Sequence, residues 1–283
     1  MLDLVNYFRE QAVKPISYGG QRKAAFQQAL QAYHSKVTLE DCDFYHTIET
    51  KDGIFEGAWD LRGHENAYLG HHDFSARKVI EFGPASGWLS AHIAKQAGEL
   101  LVFDLPLGSG PEIVPYPNAD LERVGGVRSM TRLRNSWWFA RRALGFNASA
   151  VYADIYNPPP DLGRFDVAVF GAILLHLSNP FRALQCASLM TDEAIIVTDV
   201  FSAPTVEWAP TVVAFNPTPP PIGHIHWWSL SPTAVKHMLA ILGFTDAVVS
   251  IHSPTQMASQ PPMFTVVARR PADGRGAAGA MGQ

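Results

Sequence analysis

The chain has 283 residues, of which 47% are apolar and 17% charged, with a formal net charge of −4. That supplies a large core for one domain, or for a domain with an added subdomain, and excludes a wholly disordered chain. The 22 Gly and 21 Pro follow no repeating period, which excludes collagen and repeat arrays, and the acidic balance offers phosphate backbones no general field.

The N-terminus, MLDLVNYFREQAVK, carries Asp3, Arg9 and Glu10 and lacks the apolar core of a signal peptide. Phe26, Ala29, Leu30 and Tyr33 recur at i, i+3, i+4 and i+7, predicting a helix over 21–34 with that stripe buried. Lys51-Asp52-Gly53 reads as a tight turn between two short extended pieces. From Lys78 the pattern becomes strand–helix–strand: an apolar strand over 78–82, a helix over 88–97 closed by Gly98, and a strand over 99–103 ending at Asp104. Further strands are expected over 148–152, 165–170 and 194–199, with helices over 135–144 and 180–190. Ser231-Pro232 opens a helix with Val235, Met238, Leu239 and Leu242 buried and Gly243 as its stop, and strands over 246–251 and 263–268 close the chain as a hairpin. Near-continuous apolar strands such as AIIVT indicate a parallel sheet covered on both faces, so the fold class is α/β, doubly wound. Cys42 and Cys186 stand far apart with no ligand spacing, as in a reduced, cytoplasmic protein. The longest apolar stretch, 167–175, is about half a bilayer span, so no membrane role is expected.

The turn Gly83-x-Ala85-x-x-Trp88 lacks the second and third glycines of a dinucleotide fingerprint, whose places hold Ala85 and Trp88. Read as E-x-G-x-x-x-G, Glu81, Gly83 and Gly87 all fit. Asp104 closes the next strand 17 positions after Gly87, where a carboxylate accepts both hydroxyls of a ribose and repels a 2′-phosphate. Taken singly, the glycines are explained as turn formers and Asp104 as a loop cap. In strand–helix–strand order they point together to a bound cofactor.

VIEFGPASGWLSAHIAKQAGELLVFDLP resembles motif I and the acidic strand end of class I S-adenosylmethionine-dependent methyltransferases. VYADIY and FDVAVFGAILLHLSNP follow in the family's order. FYHTIETKDG, the LxH with its Asn-Pro, and HWWSLSPTAVKHMLAILGF are similar to one branch, the tRNA wobble-uridine carboxymethyltransferase-like proteins and the small-molecule methyltransferases grouped with them. The resemblance spans about 44–268. It implies a Rossmann-like, seven-stranded, mainly parallel sheet with a terminal antiparallel hairpin and an N-terminal helical cover. The expected organisation is a cover over 1–75 on the substrate side, a cofactor domain over 76–268 with a lid at about 201–230, and a mobile tail over 269–283.

The resemblance also implies S-adenosyl-L-methionine as cofactor. Gly83, Gly87 and the substituted Ala85 would admit its methionine part, with Glu81 and Trp88 beside it. Asp104, followed by Leu105, would bind the ribose, and Asp154 with the Ile155 backbone would take the adenine. Phe170 and Gly171 would border the sulfonium. Ala85 stands where glycine is frequent in the family.

His176, after the fourth strand, is the leading candidate base, with a packed turn histidine as the equal alternative. His46, His224 and His226 lie in segments expected to cover the pocket, and Tyr45, Trp227 and Trp228 are candidates for an aromatic acceptor wall. His71-His72-Asp73 and His224-x-His226 lack the spacing of a strong metal motif, so no metal is assigned. Arg132, Arg134, Arg141 and Arg142, interleaved with Trp137 and Trp138, read first as a solvated helix face with aromatics turned inward; an RNA-facing patch or a carboxylate anchor is the alternative. The resulting function is methyl transfer to an O, N or C atom of a small-molecule acceptor, as in secondary metabolism. A tRNA wobble-uridine (carboxy)methyltransferase and a catalytically inactive cofactor-binding protein are the alternatives. A homodimer is left open.

Overall fold

The computed structural model describes residues 21, 24–112, 126–201, 211–217, 226–254 and 261–271. In chain order these form α1 (Ala24–His34), a hairpin of β1 (Ile48–Thr50) and β2 (Gly53–Phe55), a short α2 (Glu65–Tyr68), β3 (Lys78–Phe82), α3 (Trp88–Ala94) and β4 (Glu99–Asp104). Then come α4 (Val127–Ala143), β5 (Ser149–Tyr152), β6 (Phe165–Gly171), α5 (Pro180–Met190), β7 (Thr191–Val200), β8 (Val213–Phe215) and β9 (Trp228–Leu230). The chain closes with α6 (Pro232–Ile241), β10 (Asp246–His252) and β11 (Met263–Arg269). Residues 1–20, His224, much of the expected lid and the tail beyond 271 lie outside the described residues. Among the described residues no helix is long and apolar enough to cross a membrane.

Seven strands form one sheet in the order β10-β11-β7-β6-β3-β4-β5. β3 pairs in parallel with both β4 and β6, and β4–β5 and β6–β7 are parallel too. β11 runs antiparallel to β7 and to β10, giving the expected terminal hairpin. Successive strands step outward from β3 in opposite directions, so a switch point lies beside its C-terminal end, where open α/β sheets bind ligands. Alternate residues enter opposite layers. Ile80, Phe82, Leu101 and Val197 pack with Leu184, Val235 and Leu239 on one face, and Val79, Val102, Val169 and Ile196 pack with Trp88, Ile93 and Trp137 on the other.

The β5 edge would expose a row of unpaired backbone groups, and α1 covers it. The buried Gln27 side chain imitates a strand there: Nε2 donates to the Ala150 carbonyl at 3.0 Å and Oε1 accepts the Ala150 amide at 3.2 Å. Gln21 Oε1 accepts the Tyr152 amide at 3.3 Å. The buried face of α1 is therefore Gln27, Leu30 and His34, and Ala29 of the expected stripe is exposed. Replacing Gln27 with Leu removes both bonds to Ala150 and should cost about 1–3 kcal/mol in a urea melt, because the strand's polar groups stay buried and unpaired.

The basic run of α4 is not a solvated face. Arg132 donates to the carbonyls of Glu40 and Cys42, Arg142 to those of His34 and Val37, and Arg141 to that of Ala148. Arg134 is buried over the Tyr152 ring, 4.8 Å from its centroid. A guanidinium's rigid fork of donors suits the carbonyls that the irregular segment after α1 leaves open. Trp137 and Trp138 do turn inward, as expected.

Boundaries shift for physical reasons. α3 ends at Ala94 with Lys95 as its cap, and Gly98 instead bonds the Arg77 carbonyl where a Cβ would press on the Ala76 carbonyl oxygen at 3.1 Å. α4 begins at Val127, ahead of the expected start at 135. β7 begins at Thr191, directly off α5, and β8–β9 form a small hairpin within the expected lid. Cys42 and Cys186 are both free and buried.

Candidate functional site

The 83–87 turn after β3, Asp104 at the end of β4, Asp154 just beyond β5 and Gly171 at the end of β6 all stand at the same edge of the sheet. Within the turn, φ is +67° at Gly83, +45° at Ala85 and +87° at Gly87. A side chain in this region costs about 1–2 kcal/mol, which is why glycine suits the place that Ala85 holds. A Cβ at Gly83 would lie 2.2 Å from Ile173 Cδ1, so glycine there admits the segment following β6. A Cβ at Gly87 would lie 3.1 Å from Trp137 Cδ1 and 3.3 Å from Ala140 Cβ, so glycine there lets α4 pack close.

Glu81 is buried below the turn. Ser90 donates its hydroxyl to Glu81, and the Trp137 indole donates to Ser90 at 2.9 Å, tying β3 to α3 and α4. Burial pushes the Glu81 carboxyl up to about 7, with the Asp104 charge adding to it. A carboxyl raised on folding contributes stability below its unfolded value that is lost as pH rises through the folded one. Glu81→Gln should therefore match the parent in thermal melts at pH 4 and gain on it steadily towards pH 8.

Asp104 is partly open. Its Oδ1 accepts the Leu105 amide at 2.8 Å, while Arg134 Nε stands 3.8 Å from Oδ2, an ion pair without a hydrogen bond. Asp154 is exposed and accepts the Tyr156 amide at 2.9 Å. The Ile155 side chain belongs to the core, and Phe170 stacks on Phe82 at 4.6 Å, so both can offer only backbone. Trp88 turns away from the turn, donating to Glu65 at 2.9 Å and meeting Tyr68 edge-on.

The expected acid–base and aromatic residues fall into two groups. His46 is held over the glycine turn, its amide donating to Ser86 Oγ at 2.9 Å and its ring 5.3 Å from that of Trp88. Burial lowers its pKa to about 4 and leaves Nδ1 without a partner, so it is a neutral imidazole near pH 7. Tyr45 lies beside it, its hydroxyl bonded to Trp59. Across the site, His176 follows β6 in a short turn with its ring 4.9 Å from that of His226. Trp227 donates its indole N–H to the Glu112 carbonyl and Trp228 to the Leu177 carbonyl, both at 3.0 Å. Through the Trp228 indole and the Trp227 amide, which donates to the Leu175 carbonyl at 2.7 Å, the β8–β9 hairpin is pinned to the turn that carries His176. Among the described residues no group of three or more His, Cys, Asp and Glu side chains is placed to hold a metal.

No protein-family model matches the sequence, and no curated protein matches it. Among solved structures, the N-terminal domain of EvdMO1 in the presence of S-adenosylhomocysteine and D-fucose is 17% identical, with 86% of this chain and 97% of that chain covered and a TM-score of 0.54. The same domain with S-adenosylhomocysteine bound gives a TM-score of 0.55 at the same identity and coverage. Full-length EvdMO1 is 16% identical over 86% of this chain and 47% of that one, with a TM-score of 0.51. The chain has the class I methyltransferase fold.

Two further residues, outside the expected set, lie at the same C-terminal edge of the sheet. Asp199, one residue before the end of β7, is only 3% exposed. The Tyr68 hydroxyl, from α2, packs against Gly171, 3.2 Å from where a Cβ would stand. Asp199 ends an apolar strand, TDEAIIVTD, as Asp104 ends ELLVFD, and that shared pattern was the legible signal for it. Tyr68 had none, since only the tertiary fold carries it there.

Proposed function

We propose that the chain is a cytoplasmic S-adenosylmethionine-dependent methyltransferase acting on an O, N or C atom of a small-molecule acceptor, as in secondary metabolism. The observation that carries this is the left-handed 83–87 turn at the switch point, followed on the next strand by a partly open Asp104. Such a turn offers backbone N–H groups to a carboxylate, and Asp104 Oδ2 has no hydrogen bond from Arg134 to compete with a ribose. The bound cofactor supplies an electrophilic methyl group on a sulfonium.

In this reading, the 83–87 turn holds the amino-acid end, Asp104 the ribose hydroxyls and Asp154 the adenine amino group. Glu81 buttresses the turn from below. The Phe170–Gly171 backbone borders the methyl side. His46, Tyr45 and the β8–β9 hairpin exclude water, and alignment alone can supply up to ~7–11 kcal/mol of the barrier. An imidazole nitrogen of the His176–His226 pair receives the acceptor's proton where one is lost, a gain of about 10²–10⁴-fold. The D-fucose present with the EvdMO1 domain supports a small polar acceptor rather than a macromolecule.

The tRNA reading loses ground because the α4 arginines donate to the protein's own carbonyls or lie buried over Tyr152. The direct test is calorimetry with S-adenosylmethionine, followed by transfer of its labelled methyl group to a panel of small hydroxyl and amine acceptors and to tRNA. Cofactor binding with transfer to a small acceptor supports the proposal. Transfer to tRNA alone selects the second reading, and binding without transfer the inactive one.

A further inference from the structure

Asp199 poses a problem that the roles above do not solve. Its Oδ1 accepts the Val200 amide at 2.7 Å, and the Leu175 amide faces the carboxyl, yet Oδ2 has no partner. A buried carboxyl oxygen without a donor is costly, and native structures keep such groups where something else completes them. Among the described residues no Lys, Arg or His is paired with it.

What surrounds it points to a ligand. Asp199 follows Thr198, which is in register with Gly171 at the end of β6, so it stands one strand from the expected methyl side. The Tyr68 hydroxyl packs against Gly171, the register partner of Thr198, and burial with the Asp199 charge raises that phenol and keeps it a protonated donor. Its register partner on β11 is Phe264, which is uncharged. Asp199 Oδ2 is therefore a buried acceptor without a donor, one strand from Gly171 and the Tyr68 hydroxyl that packs on it.

We propose that Asp199, with Tyr68, anchors the methyl acceptor by a hydroxyl or amino group that donates to Asp199 Oδ2. The acceptor is then a neutral or cationic molecule bearing O–H or N–H at that end. A carboxylate or phosphate there would face Asp199 at Coulombic cost. This rests on the methyltransferase reading and narrows its substrate class. Burial holds the free carboxyl up to about 7, so the anchor strengthens as Asp199 ionises.

The test uses the full chain saturated with S-adenosylhomocysteine and three probes: benzylamine, phenol and benzoate. Calorimetry should show benzylamine and phenol binding and benzoate not binding. Asp199→Asn should weaken benzylamine about 10-fold or more while S-adenosylhomocysteine binding stays within about 2-fold. In carboxyl-labelled parent protein, one aspartate signal should titrate near neutral pH and move to lower pH with benzylamine, and this needs no variant to fold. Equal benzylamine binding by parent and variant, preference for benzoate, or an aspartate signal unmoved by benzylamine overturns the anchor. Failure of the parent to bind S-adenosylhomocysteine overturns the methyltransferase reading instead.

Discussion

Replacing Asp104 with alanine should weaken S-adenosylhomocysteine binding roughly 10²–10⁴-fold. Two hydrogen bonds from ribose hydroxyls to an ionised carboxylate contribute about 1.5–3 kcal/mol each, and 1.4 kcal/mol is a factor of ten. The effect on folding should be smaller and separable. Asp104 lies at a strand end, where its side chain accepts the Leu105 amide and pairs loosely with Arg134. Removing it does leave the buried Arg134 without its nearby anion, so stability should be read beside affinity. Calorimetry at a temperature where the variant is fully folded makes the comparison. A loss of less than about threefold would mean that Asp104 is a loop cap and no ribose ligand.

Gly83→Ala should be strongly destabilising. The backbone there has φ +67°, and the added Cβ would lie 2.2 Å from Ile173 Cδ1. Left-handed backbone costs a non-glycine residue about 1–2 kcal/mol, and overpacking typically adds about 1–3 kcal/mol. A total near 2–5 kcal/mol is expected in denaturant melts. The two parts can be separated, since Ile173→Ala in the same chain removes the clash and leaves the backbone term. Partial rescue is therefore expected, with affinity for S-adenosylhomocysteine recovering less than stability. Full rescue would assign the glycine to packing alone.

The sheet could be read from sequence because its signal is local. Buried parallel strands are continuous apolar runs such as KVIEF and FDVAVFG, and Asn179-Pro180 and Ser231-Pro232 mark their helix starts through side-chain caps seen in the structure. The glycine turn and Asp104 were legible for the same reason, since strand, turn and carboxylate adjoin in sequence. What escaped depends on partners far along the chain. Gln27 is buried because Ala150, 123 residues away, needs an amide at its edge. The α4 arginines look like a solvated run until the carbonyls of His34, Val37, Glu40 and Cys42 are brought to them. Tyr68 shows no site pattern, and its hydroxyl reaches Gly171 only through the packing of α2 on the sheet. The β8–β9 hairpin has three residues per strand, too few for a period to register.

A crystal structure of the chain with S-adenosylhomocysteine decides whether the C-terminal edge of β3, β4 and β5 is a nucleoside-cofactor cradle. The ribose hydroxyls are expected on Asp104, the adenine beside Asp154 and Ile155, and the amino-acid end on the 83–87 turn. A ligand seated elsewhere, or those strand ends left empty under saturating ligand, would contradict it.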